Sequence, residues 1–123
     1  MAKIKALELL CGIKLFRNWI CIILIFNFYF FRYIGTFIAD FHRTLMYGGI
    51  FLYPNNAAMP NGKLRLLYEC NPAAFIMDQA GGTATNGEQH ILDIQPETIH
   101  DRSQIFVGAK EEIDELLSYL NWL

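Results

Sequence analysis

Residues 32–54 read RYIGTFIADFHRTLMYGGIFLYP. Ile34, Phe37, Ile38, Phe41 and Leu45 recur at i, i+3, i+4, i+7 and i+11, which lays one apolar stripe along a helix from about Tyr33 to Met46. Gly48-Gly49 ends it, because glycine reaches positive φ without a Cβ clash. Ile50-Phe51-Leu52-Tyr53, stopped by Pro54, then reads as a buried strand. A helix that passes through a tight turn into a strand is a unit of a layered fold, helix against sheet.

The pattern continues downstream. Pro54 to Gly62 is an Asn- and Pro-rich loop. Asn71 is placed to cap a helix whose first residue, Pro72, needs no backbone N–H, the alternative being a start a few residues earlier; that helix should run to Ala80 and stop at Gly81-Gly82. Thr83-Ala84-Thr85 and Ile91-Leu92 are short strand candidates around the turn Asn86-Gly87, and Gln104 to Gly108 is a stronger one. The last helix opens with Glu111 and Glu112, favoured at the positive end of the helix dipole, and makes one face of Ile113, Leu116, Leu117 and Leu120. The expected fold is α/β in the layered α+β sense, a short mixed sheet with flanking helices. A domain of only ~92 residues should leave a face for a partner to cover.

Upstream the character changes. Phe, Ile, Lys, Asn and Tyr fill 17 of the first 31 positions, and from Asn18 to Phe31 no residue is charged (NWICIILIFNFYFF). This apolar run of 14 is short of the ~20 residues that a membrane span needs. The basic start at Lys3 and Lys5 resembles a secretory signal, but no small-x-small cleavage site follows Phe31. The preferred reading is a leader, 1–31, foreign to the domain at 32–123, as a translated intron or misjoined exon would produce.

Composition narrows the function. Net charge is -2, so no basic field grips a nucleic-acid backbone. Apolar residues make up 54% and charged ones 18%, which excludes a disordered chain. Cys11, Cys21 and Cys70 form no even framework and no CxxC, which argues against a disulfide-stapled module or a cysteine zinc site and points to reduced thiols in the cytoplasm. His42, His90 and His100 have no ligand spacing; His42 reads as a helix-surface residue and His100-Asp101-Arg102 as a locally paired turn. Cys70 reads as a buried small thiol.

The stretches 32–54, GKLRLLYECNP at 62–72 and QAGGTATNG at 79–87 together resemble class I fructose-1,6-bisphosphatase, over about three quarters of the chain from Arg32 to near Leu120. The match is to the C-terminal part of the family's chain, a half-domain of the sugar-phosphatase fold; the leader matches nothing in the family. Members remove the 1-phosphate of fructose 1,6-bisphosphate by magnesium-dependent hydrolysis in gluconeogenesis, leaving fructose 6-phosphate, and work in the cytoplasm as homo-oligomers. The resemblance implies that Tyr33, Tyr53 and Lys63 hold the 6-phosphate and sugar. It implies further that Arg32 reaches into the neighbouring subunit's site, that Glu69 is a metal-ligand carboxylate, and that Arg65 lies close by. The residue types suit a sugar phosphate, since Lys63 is a point cation, Arg32 a bidentate fork, and the tyrosines carry hydroxyl donors and flat ring faces. Without the family, Lys63 would be a solvated loop lysine, Glu69 a surface acid and the tyrosines core or rim filler. Two features depart from the pattern: Thr36-Phe37 stands where Ser and Met are usual, and Asn56-Ala57-Ala58 lacks lysines that many relatives carry.

The metal chemistry is the outstanding question. The family draws most of its metal ligands from an upstream Asp-Pro-x-Asp-Gly-Ser segment and its acidic neighbours, and its AMP-binding region is upstream too. Neither occurs in these 123 residues, and the first 31 hold one acid, Glu8. One carboxylate does not make a Mg²⁺ site. The expectation is therefore a chain of fructose-bisphosphatase descent, inactive by itself. The alternatives are a non-catalytic module that docks on intact subunits and a membrane-tethered sugar-phosphate binder.

Overall fold

A computed structural model describes residues 32–120. The chain divides into two units, Met1–Tyr33 and Ile34–Leu123. The leader at 1–31, with its apolar run, lies outside the described residues. Among those described, no helix is long and apolar enough to cross a membrane.

The second unit opens with helix α1, Phe37–Tyr47, and strand β1, Ile50–Tyr53. Strand β2, Leu64–Arg65, leads into one π-helical turn, Leu66–Cys70, which passes without a break into helix α2, Asn71–Gln79. Strand β3, Gly82–Thr85, a 3₁₀ turn at Ile91–Asp93, and strand β4, Arg102–Ser103, follow. Strand β5, Ile105–Ala109, runs into helix α3, Lys110–Leu120.

Two sheets form, with helices against them, as the layered α+β reading expects. The three-stranded sheet has the order β1-β5-β3, and β2 pairs with β4 separately. Every pairing is antiparallel, with Phe51 opposite Val107, Ala84 opposite Val107, and Leu64 opposite Ser103. The expected mixed sheet is thus replaced by purely antiparallel ones. Mixed pairing would need a parallel crossover, whereas β5 here takes β1 and β3 as antiparallel neighbours on its two edges. Strand β5 is central and buried along Ile105-Phe106-Val107. Ile105 and Val107 join Phe41, Phe51, Ala74, Met77, Ala84 and Ile91 in one apolar cluster. Ile113 and Leu116 of α3 are also fully enclosed.

The local departures from the sequence reading have physical causes. Helix α1 starts at Phe37 rather than near Tyr33, because Thr36 takes extended backbone and its hydroxyl accepts from the Ala39 N–H. Phe37, Phe41 and Leu45 face the core, but Ile38 is exposed and Ile34 precedes the helix. The helix does end at Gly48, with φ 77° and ψ −172°, so the chain leaves in extended form towards β1. Asn71 is not a cap: the π-helical turn before it already supplies helical backbone, so Asn71 lies inside a continuous helix. Ile91-Leu92 belongs to the 3₁₀ turn, not to a strand.

Candidate functional site

The loop leaving β1 carries the chain from Tyr53 to Lys63, and a set of backbone ties fixes its path. Asn56 and Met59 bond main chain to main chain, and the Asn55 amide donates to the Pro60 carbonyl at 3.0 Å. Gln104 bridges two segments: its Oε1 accepts from the Asn55 N–H, and its Nε2 donates to the Asn86 carbonyl. Gly62 has φ 86°, and a Cβ there would lie 2.3 Å from the Ser103 carbonyl carbon. Residue 62 is flush against the backbone of 103–104, and only glycine fits.

Lys63 follows, exposed, with its ammonium 5.6 Å from the centre of the Tyr53 ring. That is cation–π range. Two of the residues singled out in the sequence are therefore side by side, a cation and a phenol at the solvent edge. Arg102 Nη1 donates to the Lys63 carbonyl.

Arg65 and Glu69 form a second pair, four residues apart. One oxygen of Glu69 accepts the Arg65 backbone N–H at 2.7 Å and so closes the start of the π-helical turn. The Arg65 guanidinium lies 5.6 Å from the Tyr68 ring centre, and its Nε is buried without a hydrogen-bond partner. Cys70, next in the chain, is buried, and loss of solvent together with the neighbouring Glu69 charge pushes its thiol up to about 12. It stays protonated at neutral pH and is no nucleophile. Arg32 and Tyr33 belong to the preceding unit, where both are exposed, Tyr33 to 69%.

His90 and His100 make hydrogen bonds within the fold. His42 is exposed on α1. His90 Nδ1 accepts from the Leu92 N–H, which leaves the ring proton on Nε2, facing Asp78 Oδ1 at 3.1 Å. His100, Asp101 and Arg102 point to three different partners: the Tyr68 hydroxyl, the Glu97–Thr98 backbone and the Lys63 carbonyl. The Asp101 carboxyl is held below its ordinary 3.8 by bonds from the Thr98 hydroxyl, then the Thr98 and Glu97 N–H groups. No relay links the three.

Whether these residues suit a magnesium ion follows from the donor set. Mg²⁺ prefers six oxygens in octahedral array. Glu69 supplies one carboxylate with one oxygen already taken by Arg65, and among the described residues no three His, Cys, Asp or Glu side chains gather. Alone they do not fit a magnesium site.

Four residues that matter here escaped the sequence reading: Asp40, Gly62, Arg102 and Gln104. Asp40 is 2% exposed; its carboxylate accepts from the Ile34 and Gly35 N–H groups and meets Arg43 at 2.8 Å, tying the entry of α1. An acid in the first turn of the helix was the available signal. Arg102 and Gln104 had none, since their partners lie 39 and 49 residues away.

The family model "Fructose-1-6-bisphosphatase, C-terminal domain" matches residues 14–121 of the chain. Its match begins inside the stretch read as a foreign leader. Fructose-1,6-bisphosphatase isozyme 2 of Mus musculus is 60% identical over 87 residues, which cover 71% of this chain and 26% of the relative. Fructose-1,6-bisphosphatase 1 of Mus musculus is 57% identical over 86 residues, 70% of this chain and 25% of the relative. The chloroplastic fructose-1,6-bisphosphatase of Brassica napus is 56% identical over 89 residues, 72% and 22%. The chain spans about a quarter of the length of the curated relatives it matches.

Proposed function

The chain belongs to the fructose-1,6-bisphosphatase family through its C-terminal domain, and from that premise we propose that it supplies the part of a sugar bisphosphatase site that holds the 6-phosphate and sugar of fructose 1,6-bisphosphate. Hydrolysis of the 1-phosphate then depends on carboxylates from outside these 123 residues. The observation that carries the reading is Lys63 over Tyr53 on a loop locked at Gly62. An ammonium beside a phenol hydroxyl offers a phosphate one charge-assisted bond and one neutral bond, and the ring offers a flat wall to a sugar.

Each remaining residue takes a role in the same proposal. Tyr33, in the preceding unit, takes the sugar-phosphate role that the family resemblance implies for it. Arg32 serves the site of a neighbouring copy in a homo-oligomer. Arg65 adds positive charge near the ligand. Glu69 becomes one metal ligand when further carboxylates join it; Mg²⁺ would then neutralise charge developing on the transferred phosphoryl group. Glu69 and Arg65 meanwhile keep the π-helical turn closed. The setting is cytoplasmic sugar-phosphate metabolism, gluconeogenesis in particular.

Binding by this half-site is weak. A charged hydrogen bond nets ~1.5–3 kcal/mol, and association and loop ordering offset part of it, so fructose 6-phosphate should bind no better than about millimolar. Titration followed by amide NMR shifts tests this. Shifts at Tyr53 and Lys63 that vanish in Lys63→Ala are expected; a flat titration contradicts the reading.

A second reading is favoured by the apolar surface on the π-helical turn and α2, where Leu67, Tyr68, Phe75 and Ile76 are exposed, Phe75 to 58%. A patch of this kind suits docking on intact subunits of the same enzyme. Co-elution of the chain with such an enzyme, lost in Phe75→Asp, would favour docking over the half-site.

A further inference from the structure

Arg102 stands directly opposite Arg65 in the β2–β4 pair. Opposed residues of an antiparallel pair share a face, and like charges there destabilise it. A ladder of only two residue pairs has little to offset that cost. The Arg102 guanidinium has a partner that accounts for its place: Nη1 donates to the Lys63 carbonyl, one residue ahead of β2.

The neighbouring ties act on either side of Lys63. Gly62 lies flush on the Ser103–Gln104 backbone, Leu64 pairs with Ser103, and the Leu66 N–H donates to the Asp101 carbonyl at 2.8 Å. The bond from Arg102 acts on the Lys63 peptide itself. That peptide sets the direction in which the lysine leaves the backbone. A side chain with four rotatable bonds keeps a fixed place over a ring more readily when its root is fixed.

We infer that Arg102 is a positioning residue for Lys63: by holding the Lys63 carbonyl it aims the ammonium over Tyr53 and so sets where the cation meets an anionic ligand. The inference rests on the reading of Lys63 and Tyr53 as a sugar-phosphate half-site. Arg102 itself need not touch the ligand.

The test uses the full chain and two variants. Arg102→Met keeps the stem and loses every donor; Arg102→Lys keeps one donor. Lys63 side-chain protons above the Tyr53 ring are displaced upfield by the ring current, and NMR reads that displacement without any ligand. It should be largely lost in Arg102→Met and kept in Arg102→Lys, with the β5 amide pattern unchanged in both. Fructose 6-phosphate affinity should fall about fivefold in Arg102→Met, the worth of one net hydrogen bond, and recover in Arg102→Lys. Equal displacement in Arg102→Met and the unaltered chain would overturn the inference. So would loss of the β5 pattern in Arg102→Met, since Arg102 would then hold the fold rather than Lys63. A displacement that follows the donor, in a chain that binds no fructose 6-phosphate, would remove the half-site reading and leave the positioning role standing.

Discussion

Gly62 shows how much one residue can carry. With φ 86° and the Ser103–Gln104 backbone where a Cβ would go, it sets both the turn and the path into Lys63. Left-handed backbone alone costs a non-glycine residue roughly 1–2 kcal/mol, and the collision adds to that. Gly62→Ala should therefore destabilise the domain by about 2 kcal/mol or more, read as a lower denaturant midpoint at unchanged slope. Asp101 gives a pH signature. Its carboxyl is depressed below 3.8 by bonds that exist only in the folded state, so the stabilisation is present above about pH 4 and is lost as pH falls through the lower folded value. Amide shifts of Glu97 and Thr98 should move together in acid, and Asp101→Asn should remove that transition. The sequence already marked the turn at 100–102 and read it as locally paired. It could not say that the three side chains part company, because Tyr68 and Lys63 lie 32 and 39 residues away from their partners.

Elements were legible where one residue's choice repeated along the chain. Helix α3 is the clearest: the Ile113 and Leu116 face predicted by periodicity is the face that is buried. Leu116→Ala should cost about 2–5 kcal/mol, the usual range for an enclosed leucine, with a matching fall in thermal midpoint. Asn71 is the opposite case. Read as an N-cap, its replacement by alanine would cost about 1 kcal/mol. Inside a continuous π-to-α helix, with a buried Oδ1 that has no partner, Asn71→Ala should instead raise stability, by roughly 0.5 kcal/mol or more. The same denaturant melts decide between the two. Periodicity did not see the π-helical turn, since one extra residue per turn leaves the apolar spacing nearly intact over a single turn. It placed α1 four residues early for a related reason: Ile34 fits the stripe, but Thr36 and Asp40 close the backbone after it.

At the scale of the molecule, family membership was legible because the residues that meet at Lys63 and Tyr53 lie in short, dense stretches of sequence. The sheet's antiparallel order was not, since strands of two to five residues carry no sign of direction. The chain is a C-terminal domain of the fructose-1,6-bisphosphatase family with an exposed lysine beside a half-buried tyrosine, one carboxylate committed to its own helix, and no further acids gathered beside it among the described residues. The proposed half-site predicts binding without turnover. Phosphorus NMR of fructose 1,6-bisphosphate with excess Mg²⁺ reads both at once. The 6-phosphate resonance should shift as the chain is added while no inorganic phosphate accumulates. Growth of an inorganic phosphate signal at about 1 per second or faster, a rate ordinary for an enzyme, would contradict it.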